Sequence, residues 1–319
     1  MFKIFTEASK QKGFGHISRL LGVCKRLENE EIGFNVFLDA DNVAKELFCK
    51  DFITFEKWND TTRIRKLIKN DDIILVDSYS YDIDFLFLLK ELAKKVIVID
   101  DNIRLDYTDV IIINPNYFGE YLRYPNDKNN VYYLGKKYTL LRDEFIPDKD
   151  RAINKNVKSV LISMGGTDIL NITHIIMDNL LRINDDISMK VVATEAYDNL
   201  KDVKKRIRKQ DQLITGATAK QMSDLMKSVD FAICSAGGTT NELIKMVCPA
   251  IIIAVADNQQ LNALYLKKKG LVETFDVNTM DKIKKLFEYT TRKALIDKMK
   301  ENRSESNAVD TIIKIIKYR

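Results

Sequence analysis

Gly13-Phe14-Gly15-His16-Ile17-Ser18-Arg19 is the stretch on which the reading of this chain turns. Before it, Met1-Phe2-Lys3-Ile4-Phe5 reads as a short strand, and after it Ile17, Leu20, Leu21, Cys24 and Leu27 recur at helical spacing. The stretch is therefore the turn of a strand–loop–helix unit. Gly13 and Gly15 free the backbone for positive φ or for close approach of a ligand, and the N–H groups of the first helical turn carry about half a positive charge. A phosphate is the expected guest, and His16, one of only two histidines, stands beside it. A glycine turn before a helix is also an ordinary tight connection, so the motif counts only in company.

It has company. Six of the twelve glycines fall in three pairs, Gly13/Gly15, Gly165/Gly166 and Gly237/Gly238, each after a predicted strand and before a predicted helix. In Ser163-Met164-Gly165-Gly166-Thr167-Asp168, the aspartate either caps the following helix or meets a ligand. In Ser235-Ala236-Gly237-Gly238-Thr239-Thr240-Asn241-Glu242, small residues let a helix start approach a diphosphate. Glu242 is placed to accept from a ribose diol, or else complements the helix dipole. Ala256-Asp257-Asn258-Gln259-Gln260 sets a cluster of amides after another apolar strand, suited to a sugar or second phosphate, or else forming a turn or a cap.

At 319 residues, two domains are expected. Short β-branched runs alternate with helical stretches: Ile32 to Leu38, Ile73 to Asp77, Val96 to Asp100 and Val110 to Ile113, with a core helix over Asp84 to Lys94. Phe145 to Asn156 turns polar and aperiodic and reads as the linker, dividing the chain into 1–150 and 151–319. The series then restarts with Val157 to Ser163, Met189 to Ala193, Leu213 to Thr215, Phe231 to Cys234 and Ile251 to Val255. The expected architecture is α/β, two doubly wound Rossmann-like domains facing a cleft, the GT-B arrangement, with Glu305 to Arg319 as a helix crossing back to the first domain.

Composition is that of an ordinary globular chain, 45% hydrophobic and 30% charged, and no apolar run reaches the length of a membrane span. No signal peptide is read, and a cytoplasmic protein without stable membrane insertion is expected. The net charge of +5 is too small and diffuse to argue for nucleic acid, and basic runs such as Lys204 to Lys209 read as solvated helix faces, with attraction to anionic substrates or lipid as the lesser alternative. Cys24, Cys49, Cys234 and Cys248 lack metal-binding spacing and read as buried free thiols. No metal, no cofactor and a monomeric state are expected.

Taken together, Gly13-x-Gly15-His16-x-x-Arg19, Val76-Asp77-Ser78-Tyr79, Ile99-Asp100-Asp101, Tyr138 to Phe145, Met164 to Asp168, Ser235 to Glu242 and Ala256 to Gln259 occur in one family's order and spacing. The chain resembles the UDP-2,4-diacetamido-2,4,6-trideoxy-β-L-altropyranose hydrolases of pseudaminic acid biosynthesis, from the first strand to about Gly270. The resemblance implies metal-independent hydrolysis at the anomeric carbon, with His16 as general base and Tyr79 on the substrate side. It assigns UDP to the loops at Gly165-Gly166 and Ser235 to Glu242, where Gly237, Gly238 and Thr239 lie, and puts Asn258 by the diphosphate or sugar. Two departures border the sugar pocket: Thr6-Glu7-Ala8-Ser9 stands where many members carry arginine and aspartate, and Ser78 replaces a histidine before Tyr79.

The chemistry suits these residue types. A diphosphate leaves with little acid assistance, and an imidazole of unperturbed pKa about 6.5 can take a proton from water at neutral pH. The picture requires that ring to be uncharged and reachable. Asp77, Asp100 and Asp101 each either orient His16, hold sugar hydroxyls or cap a turn. Arg19, one turn beyond His16, touches phosphate or pairs with a carboxylate, and His174 reads as a packing or surface residue. Two competing functions remain: an inverting GT-B glycosyltransferase using a UDP-sugar donor, and a non-catalytic nucleotide-sugar binder.

Overall fold

In the computed structural model, which describes residues 1–148, 151–275 and 277–318, with the side chains of 277–281 left aside, the chain divides into two units. One comprises Met1–Arg142 together with Ser304–Arg319, the other Asp143–Arg303. The described part of Phe145 to Asn156 holds neither helix nor strand, and Lys149 and Asp150 lie outside the described residues. No helix among the described residues is long and apolar enough to cross a membrane.

The first unit is built on seven parallel strands: β1 (Phe2–Ala8), β2 (Phe34–Ala40), β3 (Ile53–Phe55), β4 (Ile73–Asp77), β5 (Lys95–Ile99), β6 (Ile111–Asn114) and β7 (Val131–Leu134). They lie in the order β3-β2-β1-β4-β5-β6-β7. The second unit has β8 (Ser159–Ser163), β9 (Ser188–Ala193), β10 (Gln212–Thr215), β11 (Phe231–Ser235), β12 (Ala250–Ile253) and β13 (Glu273–Thr274), ordered β10-β9-β8-β11-β12-β13 and again parallel. In each sheet the winding reverses once, between β1 and β4 and between β8 and β11. Beyond the carboxyl ends of such a pair, diverging connections leave a crevice, and doubly wound sheets bind ligands there.

β4 and β11 are near-continuous apolar runs, as parallel strands covered on both faces are, whereas β1 buries Lys3, Thr6 and Glu7 among its apolar residues. Every residue of β1, β4 and β11 is buried. Phe5 stacks on Phe37 at 5.1 Å and meets Trp58 at 5.6 Å, while the Trp58 indole N–H donates to the Thr6 carbonyl (2.8 Å), tying an edge connection to the central strand. β3, β7 and β13 were not legible in the sequence; they are edge strands of two to four residues, too short to show a period.

The helix expected over Asp84 to Lys94 spans Ile83–Leu92; Phe85, Leu86, Leu88 and Leu89 are buried, Ile83 and Leu92 half-buried, and Phe87 is 45% exposed. At the far end of the chain, the helix Ala308–Lys317 belongs to the first unit. There Asn307 donates to the Leu141 carbonyl (2.7 Å) and Lys317 reaches Glu30 (2.7 Å); Arg319 lies outside the described residues. Of the four thiols, Cys24, Cys234 and Cys248 are buried and free, whereas Cys49 is exposed, because the helix Asn42–Leu47 ends before it.

Candidate active site

His16 opens the helix Gly15–Asn29, whose preceding residue Phe14 offers no side-chain cap, so the first-turn N–H groups are not claimed by a capping side chain. The turn is shaped by Gly13 at φ +77°, and around both Gly13 and Gly15 a methyl group would meet no heavy atom within 4 Å. This helix start lies beside the ends of β1 and β4, which pair Thr6 with Asp77.

The His16 Nδ1 lies 2.7 Å from Asp77 Oδ1. A carboxylate only accepts, so the Nδ1–H donates and the lone pair of the neutral ring sits on Nε2. Only 11% of the side chain is exposed. Nε2 takes no hydrogen bond from the described residues. The Tyr79 ring packs edge-on against the imidazole, centroids 4.7 Å apart, and its hydroxyl donates to Asp101 (2.7 Å).

Arg19 binds both carboxylates. It meets Asp77 through Nε (2.7 Å) and Nη2 (2.6 Å) and Asp101 through Nη1 (2.9 Å) and Nη2 (3.1 Å). Of the two roles open to it, carboxylate pairing is the one seen. Asn116, after β6, also donates to Asp101 (2.8 Å). Asp100 plays a different part, accepting from the N–H groups of Ile103 and Arg104 and from the hydroxyls of Tyr107 and Tyr124, which fixes the loop after β5.

These contacts set the charges. Burial opposes the imidazolium, but the Asp77 charge and hydrogen bond outweigh it and Arg19, and hold the His16 pKa above 6.5 instead of at its unperturbed value. Burial likewise opposes ionised Asp77, yet Arg19 and His16 keep its carboxyl well below the usual range. Asp101 is also lowered despite burial, chiefly by Arg19.

Glu7, which the sequence marked only as a departure, is 2% exposed and joins the two strand ends. It accepts from the Tyr79 N–H (2.7 Å), from Lys12 and from the Ser80 hydroxyl. An acid at a strand end was the available signal; its partners Tyr79 and Ser80, 72 and 73 residues on, were not.

The second unit carries the other two glycine loops on β8 and β11. Gly165 adopts φ +80°, and a methyl there would stand 3.2 Å from the Ser235 Oγ, so the two loops meet side by side. Asp168 accepts from the N–H groups of Ile172 (3.1 Å) and Thr173 (2.9 Å) and from Asn199 (2.7 Å), so capping is the role it fills. His174 is half-buried beside Asn199 (3.3 Å). In the loop after β11, Asn262 donates to the Ala236 carbonyl (3.0 Å), Gly238 has an ordinary φ of −56°, and Thr239 and Glu242 lie half-buried in the helix Thr239–Lys245. Asn258 is exposed in the first turn of the helix Asp257–Lys268. The amide cluster is thus a helix start, not a loop, and Gln259 spends its oxygen on the Val255 N–H (3.1 Å).

The two central glycines give opposed expectations. Gly165→Ala forces an L-residue into the left-handed region against Ser235 and should lower stability by about 1 kcal/mol or more. Gly238→Ala meets no atom within 4 Å at a φ that alanine favours, and should leave the melting midpoint unchanged or slightly raised. Thermal melts of the two variants check this.

Residues 159–317 match the glycosyltransferase family 28 C-terminal domain. Over 78% of the chain, 29% of residues are identical to an uncharacterised protein of Methanocaldococcus jannaschii, covering 54% of that protein. A Helicobacter pylori protein named pseudaminic acid cytidylyltransferase and UDP-2,4-diacetamido-2,4,6-trideoxy-beta-L-altropyranose hydrolase is 24% identical over 88% of the chain and 49% of its own length. The chain therefore spans about half the length of these two relatives. A Campylobacter jejuni protein carrying the hydrolase name alone is 25% identical over 83% of the chain and 95% of its own length. Among solved structures, Acinetobacter baumannii MurG superposes with TM-score 0.62 at 14% identity, covering 100% of this chain and 99% of that one. Phytolacca americana UGT2, complexed with UDP-2fluoro-glucose and pterostilbene, gives 0.63 at 14%, covering 100% and 99%. The fold is GT-B, two parallel-sheet α/β domains, and the chain is related to proteins that bear the trideoxy-altropyranose hydrolase name.

Proposed function

We propose that this protein hydrolyses a UDP-linked 2,4-diacetamido-2,4,6-trideoxy sugar to free sugar and UDP, as a step toward a nonulosonic acid such as pseudaminic acid. The observation that carries the reading is the His16–Asp77 pair: a buried carboxylate fixes the imidazole tautomer and leaves Nε2 as the ring's basic nitrogen, with no hydrogen-bond partner among the described residues. Water loses its proton to Nε2 as its oxygen attacks the anomeric carbon, and the C–O bond to the diphosphate breaks with its electrons going to UDP. Attack opposite the leaving group inverts the anomeric centre. Tyr79 borders the imidazole on the substrate side. Arg19 holds Asp77 ionised.

The nucleotide belongs in this reading to the second unit, at Gly165, Gly166, Ser235, Gly237, Gly238, Thr239, Glu242 and Asn258. The names of the Campylobacter and Helicobacter relatives support the substrate, and the UDP-sugar complex of the Phytolacca protein supports the nucleotide. Since Gly238 is not required by its backbone, its missing side chain is explained by room for a ligand; Gly238→Ala, stable in a melt, should bind UDP more weakly.

The family 28 domain match favours a second reading, sugar transfer to an acceptor by the same inverting displacement. Incubation with a panel of UDP-activated amino sugars and no acceptor separates the two. UDP and free sugar formed together, detected by mass spectrometry, support hydrolysis. UDP release only on adding an acceptor sinks it.

A further inference from the structure

Four consecutive N–H groups in the loop after β8, those of Gly165, Gly166, Thr167 and Asp168, take no hydrogen bond within the protein among the described residues. Their carbonyl neighbours behave oppositely. The Tyr197 hydroxyl donates to the Gly165 oxygen (2.8 Å) and the Thr194 hydroxyl to the Gly166 oxygen (2.6 Å). Both side chains come from the connection after β9, and Tyr197 is only 4% exposed. Thr194 is itself held, accepting from the Ala196 N–H (3.1 Å). Asp168, the only acid in the loop, is fully buried and directs its carboxylate at Ile172, Thr173 and Asn199.

A peptide plane presents its N–H and its carbonyl in opposite directions. Fixing the oxygens of two successive residues therefore fixes where the next two N–H groups point. A run of unpaired N–H groups on a half-buried glycine turn is a receptor for a phosphate oxygen. Left alone, a turn with Gly at φ +80° has neighbouring conformations that would turn a carbonyl outward, and a carbonyl there repels an anion.

We propose that Tyr197 and Thr194 are positioning residues for a nucleoside diphosphate: they hold the Gly165 and Gly166 carbonyls inward so that the N–H groups of the loop face a phosphate. The inference rests on the nucleotide reading given above and adds to it the two hydroxyls that preorganise the loop. Neither touches the ligand. Removing either hydroxyl leaves the side-chain volume almost unchanged but frees a carbonyl.

The test is UDP titration of the full chain by calorimetry, with melts at zero and saturating UDP. Tyr197→Phe and Thr194→Val should each weaken UDP binding by about 3- to 10-fold, the range of one hydrogen bond's net contribution, and raise the KM for the UDP-sugar with kcat unchanged. Thr194→Ser keeps the hydroxyl and should retain wild-type affinity. The melting midpoint without UDP should stay near wild type, and the rise that UDP confers should shrink with the affinity. Unchanged UDP affinity in both hydroxyl-free variants overturns the proposal, whether or not their midpoints fall, because a purely structural role moves the midpoint alone. If the wild-type chain binds no UDP, the nucleotide reading fails and takes this inference with it. If it binds UDP and the variants bind equally, this inference alone fails.

Discussion

His16→Asn is expected to lower kcat for UDP release by about 10²- to 10⁴-fold, the usual worth of a general base. UDP affinity should not change, because asparagine keeps a polar group beside Asp77 while losing the basic nitrogen. Single-turnover product formation and UDP titration on the same preparation measure the two quantities. Full activity in the variant would remove His16 from the chemistry; normal UDP binding with no turnover would exclude a passive nucleotide-sugar binder. The pH profile supplies a second handle. A base works only when unprotonated, and Asp77 holds the His16 pKa above 6.5, so kcat should fall toward acid with its midpoint above 6.5. The same titration appears in stability with a defined sign. A raised folded pKa gives stabilisation that is fully present below the unfolded value near 6.5 and is lost as pH rises through the folded value. On the proposed mechanism, the form in which His16 can act as a base is therefore the less stabilised one at this position. Asp77→Asn should move the acid limb to lower pH and also lower kcat, since an amide no longer specifies which nitrogen carries the proton.

The two sheets, their doubly wound order and the three glycine loops were legible because parallel strands covered on both faces are written as unbroken Val/Ile/Leu runs, and because glycine pairs punctuate them at the strand ends. What sequence could not supply was the pairing of polar groups across long separations. Asp77, Asp100 and Asp101 look alike as strand-end acids. Only the fold gives Asp77 to His16, Asp101 to Arg19 and Tyr79, and Asp100 to the hydroxyls of Tyr107 and Tyr124. Glu7 was read as a deviation near the sugar pocket, yet it is the carboxylate that joins Tyr79 and Ser80 to the end of β1. Tyr197 and Thr194 carry no local signature at all, because a hydroxyl that bonds a remote carbonyl has no spacing rule. Asn258 and its neighbours were read as a loop or cap after a strand because amides favour turns and helix starts alike; the structure gives the helix start, which begins one residue before Asn258.

Arg19→Met is expected to be the most destabilising single change in the first unit, by about 3 kcal/mol or more, because it leaves two buried carboxylates without their shared cation. The wild-type guanidinium spends four hydrogen bonds on Asp77 and Asp101, and Asp77, fully buried, has no water to take its place. The loss should depend on pH in a definite direction. Both acids have folded pKa values lowered below 3.8, largely by Arg19 against the opposing effect of burial, so in the wild type their stabilisation is present above the unfolded carboxylate pKa and fades only as pH falls through the folded values. Without Arg19, burial and mutual repulsion dominate, the carboxyl pKa values rise, and the variant should recover part of its deficit as the pH is taken from 8 toward 5. Among the described residues, His16 then remains the group able to carry positive charge against Asp77. Its pKa, relieved of Arg19 and still facing Asp77, should climb further, and whatever activity survives should need higher pH than the wild type does. Melting midpoints of the two proteins across that range decide the matter: a deficit that stays constant or grows toward acid would show that Arg19 is not what keeps Asp77 and Asp101 ionised.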